Sequence, residues 1–171
     1  LERFQHLQPH AMNLIPEAYR PKIVILVSKP LHVLHEILWQ HHEGFLKADI
    51  QGIISNHPEA EEHAQGLPFY HVPYDSSEPE AQVRKHLKDL GVECIVLARF
   101  MQILSEDFVS EYPNQIINIH HSFLPAFEGG HAYQQAYEKG VKMIGATAHY
   151  VTPELDKGPI IHQDTQQVGP F

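Results

Sequence analysis

Polar side chains able to act on a carbonyl group concentrate in two stretches of the chain. In Ile116-Ile117-Asn118-Ile119-His120 an extended backbone sends residues two apart to one face, so Asn118 and His120 emerge beside Ile116 while Ile117 and Ile119 face the other way. An amide donates to a carbonyl oxygen, and an imidazole donates again or carries a proton as the carbon becomes tetrahedral. Taken alone, the pair stays ambiguous, because two polar residues closing a strand more often cap loop backbone than catalyse. The second stretch, Gly145-Ala146-Thr147-Ala148-His149-Tyr150-Val151, alternates, putting Thr147, His149 and Val151 on one face before the loop Thr152-Pro153-Glu154-Leu155-Asp156-Lys157-Gly158. An aspartate delivered beside His120 could orient the imidazole, raise its proton affinity and position a water. Spacing alone reads Asp156 more simply as a solvated turn residue before Gly158.

The elements carrying these stretches follow from pattern and punctuation. Lys22-Ile23-Val24-Ile25-Leu26-Val27-Ser28 is β-branched without alternation, as in a central strand covered on both faces. Leu31, Leu34, Ile37 and Leu38 recur at helical spacing in a segment from Leu31 to Glu43 that Gly44 stops. The alternation continues with a strand Ile50–Ser55, a short helix Glu59–Gln65 and a strand Phe69–Val72. A helix capped by Ser76 or Ser77, with Val83, Leu87 and Leu90 inward and Gly91 at its end, precedes a strand Val92–Ala98. Ser105 opens a helix that Pro113 stops, before the strand Gln115–His120. Strands and helices in this order predict an α/β protein with an open, mostly parallel sheet flanked by helices, whose chemistry lies beyond the carboxyl ends of the strands. Leu1 to Pro21, with Pro9 and Pro16 and no sustained period, read as a linker or docking arm before a domain over 22–171.

Composition narrows the partners. A chain of 171 residues, 43% hydrophobic, suits one domain, and 12 Lys+Arg against 21 Asp+Glu leave no basic stripe for a nucleic acid. No apolar run reaches the length of a membrane span and no secretory pattern opens the chain, so a cytoplasmic protein is expected. The single cysteine, Cys94, excludes a disulfide framework and reads as a small apolar residue in a strand.

The run Asn118-Ile119-His120-His121-Ser122-Phe123-Leu124-Pro125-Ala126-Phe127 resembles the signature of the folate-dependent formyltransferase superfamily, and Thr147–Val151 with Asp156-Lys157-Gly158 resembles its second signature. His-His-Ser-Phe-Leu-Pro, with Ala98-Arg99-Phe100-Met101-Gln102-Ile103-Leu104-Ser105 before it, is similar to the formyltetrahydrofolate deformylase branch. The resemblance runs from about Pro21 to Asp164. It implies a Rossmann-like formyltransferase fold and hydrolysis of 10-formyltetrahydrofolate, with no tightly bound cofactor and no metal. Asn118 and His120 would polarise the formyl oxygen while Asp156 orients His120 and activates water, with Ser122, Thr147 and His149 in support. Phe100, Met101, Gln102, Leu104, Val151 and Thr152 would bind the folate. The expected partners are that small molecule and further copies of the chain, not nucleic acid or membrane. The resemblance also implies an ACT domain before the catalytic one, which Leu1 to Pro21 do not supply, and a longer C-terminal end.

Three alternatives differ in chemistry. Transferases acting on glycinamide ribonucleotide carry a glycine-rich turn after the first strand that cradles phosphate. Here Val27-Ser28-Lys29-Pro30-Leu31-His32 lacks glycine, and Pro30 lacks an N–H, which leaves water as the simplest acceptor; Lys29 remains as a point charge for an anion. With 15 His a zinc hydrolase using His120, His121, His149 and Asp156 is conceivable, although no His-Glu-x-x-His pair occurs. A folate-binding module without turnover is the third.

Overall fold

The computed structural model describes residues 18–127, 129 and 131–169. The arm expected over Leu1 to Pro21 lies, up to residue 17, outside them; beyond it, Tyr19 donates a hydrogen bond to the Glu93 carboxylate.

Strand β1 (Lys22–Val27) is buried from its second residue onward, as its unbroken apolar run requires. Period-two alternation splits it between two cores. Val24 and Leu26 join Ile54, Ile95, Leu97 and Phe108 on one side, while Ile25 and Val27 join Leu34, Leu38 and Ile53 on the other. Helix α1 (His32–His42) covers the second side through Leu34 and Leu38. Helices α2 (Pro79–Leu90) and α3 (Glu106–Glu111) cover the first through Val83, Leu87, Phe108 and Val109. Each such fully buried side chain contributes about 1.5–3 kcal/mol of transfer free energy.

The remaining strands are β2 (Asp49–Ser55), β3 (Phe69–His71), β4 (Cys94–Ala98), β5 (Ile116–His120), β6 (Met143–Tyr150) and β7 (Ile160–Gln167). They form one seven-stranded sheet in the order β3-β2-β1-β4-β5-β6-β7. The first five run parallel; β6 and β7 are antiparallel to their neighbours, with α4 (Ala132–Glu138) between β5 and β6. Chain order reverses between β1 and β4, which opens a crevice at their carboxyl ends.

The short helix expected before β3 is there, as a 3-10 helix over Pro58–His63. Local chemistry differs from expectation at the head of α2. Neither Ser76 nor Ser77 caps α2: Ser76 Oγ donates to the Pro73 carbonyl, and the helix opens at Pro79 behind a left-handed Glu78. Proline at the first helical position needs no N–H partner, so the hydroxyl cap is dispensable. Ser105 does cap α3, accepting from Phe108 N at 3.1 Å, and a left-handed Gly91 closes α2.

Candidate active site

Antiparallel pairing of β5 with β6 builds the centre of the site. Asn118 lies opposite His149, and His120 opposite Thr147. His149, 2% exposed, donates from Nδ1 to its neighbour's carbonyl, Tyr150 O, at 3.0 Å. In that tautomer Nε2 is an acceptor, and Asn118 Nδ2 lies 3.3 Å from it, so the amide is turned with nitrogen toward His149.

Asp156 arrives from the loop after β6, in a left-handed turn at φ 57°. That loop folds back on its own strand: a Cβ at Gly158 would stand 1.7 Å from Tyr150 O, so only glycine fits. The carboxylate is 5% exposed, far from the solvated turn residue that spacing alone suggested. Its Oδ1 lies 3.5 Å from His120 Nδ1 and 3.9 Å from His149 Nε2, and its Oδ2 accepts from Gly129 N at 3.0 Å. His120, itself 5% exposed, donates from Nε2 to Phe127 O at 3.1 Å. With that nitrogen engaged as donor, Nδ1 is the ring atom that faces the carboxylate.

Ser122 and Thr147 shape the loop after β5. Thr147, fully buried, donates to Ser122 O at 2.7 Å and accepts from Leu124 N at 3.0 Å. Ser122 Oγ donates to Ala126 O at 2.6 Å, which helps place the Phe127 carbonyl under His120. Gln163 on β7 adds bonds to Leu124 O at 2.9 Å and Thr147 Oγ1 at 3.0 Å. Sequence reading missed Gln163, Phe127 and Gly129. Gln163 sits in a strand with no conspicuous pattern, and the other two act through backbone groups that carry no side-chain signature.

Two clefts of about 120 Å³ and 290 Å³ open above this group and share Phe100, Gln102, Ile103, Asn118, Leu155 and Asp156 in their walls. Leu104, Val151 and Thr152 line the smaller cleft and Met101 the larger, so every residue expected to bind folate borders one of them. Phe100 is 8% exposed and meets the Tyr74 ring edge-on, whereas Met101 is half exposed. A larger cavity of about 460 Å³ is lined by His32, Arg99, Ile119 and His121 among others, and shares the last three with the larger cleft. Lys29, the candidate anion contact, is engaged with Glu59 at 3.0 Å. Among the described residues no group of three or more His, Cys, Asp and Glu side chains is arranged to hold a metal ion.

A doubly wound sheet that gathers an amide, two imidazoles and a buried carboxylate beneath a narrow cleft at its carboxyl ends has the layout of a ligand-binding α/β protein. The sequence model of the formyl transferase family matches residues 21–170, and the chain belongs to that family. It is 53% identical to the formyltetrahydrofolate deformylase of Bacillus subtilis over 86% of this chain and 51% of that protein. The crystal structure of the Burkholderia mallei formyltetrahydrofolate deformylase superposes with a TM-score of 0.82 at 48% identity, covering 88% of this chain and 56% of that one. A glycinamide ribonucleotide transformylase from Symbiobacterium toebii superposes with a TM-score of 0.80 at 33% identity, covering 92% and 78%. The chain spans about half the length of the curated relatives it matches.

Proposed function

We propose that this chain forms the catalytic portion of a formyltetrahydrofolate deformylase, taking 10-formyltetrahydrofolate and water to formate and tetrahydrofolate. The observation that carries the reading is one buried carboxylate, Asp156, set 3.5 Å from His120 and 3.9 Å from His149 on a floor shared with Asn118. Asn118 has a second amide hydrogen for the formyl oxygen, and positive charge on His120 steadies the negative charge that grows there. Asp156 takes a proton from water as the water oxygen adds to the formyl carbon. Collapse of the adduct breaks the bond to N10, and the His120 imidazolium gives the leaving nitrogen its proton. Transfer of the Asp156 proton to His120 restores the site.

Phe100, Met101, Gln102, Leu104, Val151 and Thr152 would hold the pterin in an apolar slot, while Ser122, Thr147 and His149 keep the reacting groups in register. Identity of 53% to a deformylase against 33% to a transformylase supports hydrolysis over transfer, as does the absence of glycine from Ser28-Lys29-Pro30. A cytoplasmic homo-oligomer without a tightly bound cofactor goes with this reading. Burial pushes the Cys94 thiol upward, away from reactive thiolate, and among the described residues no helix is long and apolar enough to cross a membrane.

Transfer to an amine is the second reading, favoured by the cavity of about 460 Å³ beside the site. Incubation with 10-formyltetrahydrofolate, with and without glycinamide ribonucleotide, separates the two. Hydrolysis predicts formate at the same rate in both; formylated ribonucleotide as the main product would overturn it, and tight folate binding without product would leave a binding module.

A further inference from the structure

Ser28 follows β1 directly, at the point where chain order reverses, and the formyl chemistry makes no use of it. It is 1% exposed, so each of its polar groups needs a partner. Its amide donates to Arg99 O at 3.3 Å, and its hydroxyl oxygen accepts from Met101 N at 3.1 Å. The hydroxyl hydrogen goes to Asn56 Oδ1 at 2.6 Å, which turns the oxygen lone pairs toward Met101. One residue thus brackets Phe100 by gripping the peptide group before it and the one after it.

The bracket has work to do. Arg99 sits at φ 55°, a left-handed conformation that costs a non-glycine residue about 1 kcal/mol or more and persists only where the surroundings enforce it. Phe100 between the gripped groups lines both clefts over Asp156 and is backed by Tyr74 at 5.3 Å between ring centroids. The clamp holds the loop in place and so lowers the ordering cost that a ligand entering the slot meets there. Asn118, His120 and Asp156 stand on β5 and the loop after β6, with no hydrogen bond to Ser28.

We propose that Ser28 is a positioning residue for folate affinity: by clamping Arg99 O and Met101 N it fixes the loop that forms one wall of the folate slot, without touching the reacting groups. The inference rests on the deformylase reading of the site. The motif that replaces a phosphate-binding turn thereby acquires a role of its own, in which the hydroxyl serves the next strand's loop.

S28A and S28T in this chain test it, with steady-state kinetics on 10-formyltetrahydrofolate, thermal melting and amide hydrogen exchange at Met101. S28A orphans the Met101 amide and the Asn56 oxygen; the expected result is KM raised about 10-fold, kcat within about twofold, and faster Met101 exchange. S28T keeps the hydroxyl and should return KM to within about threefold of the parent with Met101 protected. Faster exchange with unchanged KM would overturn the proposal, as would a fall in kcat alone or a KM defect that S28T shares while still protecting Met101. A parent chain that neither binds nor deformylates the folate would remove the site reading and this inference together. An active parent with an indifferent S28A removes only this one.

Discussion

The carboxylate of Asp156 faces two imidazoles and one backbone amide, so removing its charge while keeping its shape should separate binding from chemistry. Asp156→Asn is expected to lower kcat by about 10²- to 10⁴-fold with KM within about threefold, because a neutral amide still accepts from Gly129 N but takes no proton from water. His120→Ala should show the same pattern by withdrawing the proton for the leaving nitrogen. Near-normal kcat in either variant would refute its assigned part. Asn118, His120 and Asp156 were legible as candidates because side-chain type and motif mark them. Their meeting was not, since Asp156 lies 36 positions beyond His120 and reaches it through a loop whose reversal depends on Gly158 and a left-handed turn. His149 reads as a supporting residue in sequence; only the cross-strand register sets its Nε2 3.3 Å from Asn118 Nδ2, with Asp156 Oδ1 at 3.9 Å.

Two connecting segments carry the site, and each has a point where it should fail. At Gly158 an added Cβ meets backbone, which cannot rotate away, so Gly158→Ala should cost about 3 kcal/mol or more and release Asp156 from the floor. Denaturant melts would read the first effect and loss of kcat the second; a fully stable, fully active G158A would show that the loop tolerates another path. Thr147 ties the loop after β5 through one donated and two accepted hydrogen bonds in a fully buried setting. Thr147→Val keeps the shape and orphans those partners, with an expected loss of about 2–3 kcal/mol, measured by urea titration. Helix ends show how far local rules reach. Ser105 caps α3 as its position predicts, whereas Ser76 and Ser77 yield to Pro79 at the head of α2. Residues 58–63 close as a short 3-10 helix that opens at Pro58.

Across the whole sheet, continuous apolar runs announced the buried parallel strands, and both faces of β1 are indeed covered. The antiparallel β6–β7 pair was less visible: β7 is exposed along nearly all its length and carries no apolar alternation. His86 gives the stability of the fold a pH dependence. His86 on α2 stacks on Tyr70 at 4.3 Å, and burial, followed by the charge of Lys85, holds its pKa below the ordinary 6.5. Its contribution is fully present above 6.5, where the unfolded chain is also neutral, and is lost as pH falls from there through the depressed folded value. Urea melts of the parent and His86→Gln at about pH 7.5 and about pH 5.5 should show a smaller acid loss in the variant. Equal losses would place the sensitivity elsewhere.

Hydrolysis itself is read by the oxygen of water. With 10-formyltetrahydrofolate and this chain in ¹⁸O-water, free of any amine acceptor, the account predicts formate and tetrahydrofolate in equal amounts, each formate carrying one ¹⁸O from solvent. Formate that forms only when an amine acceptor is supplied, or no formate at all from a chain that binds the folate, would contradict it.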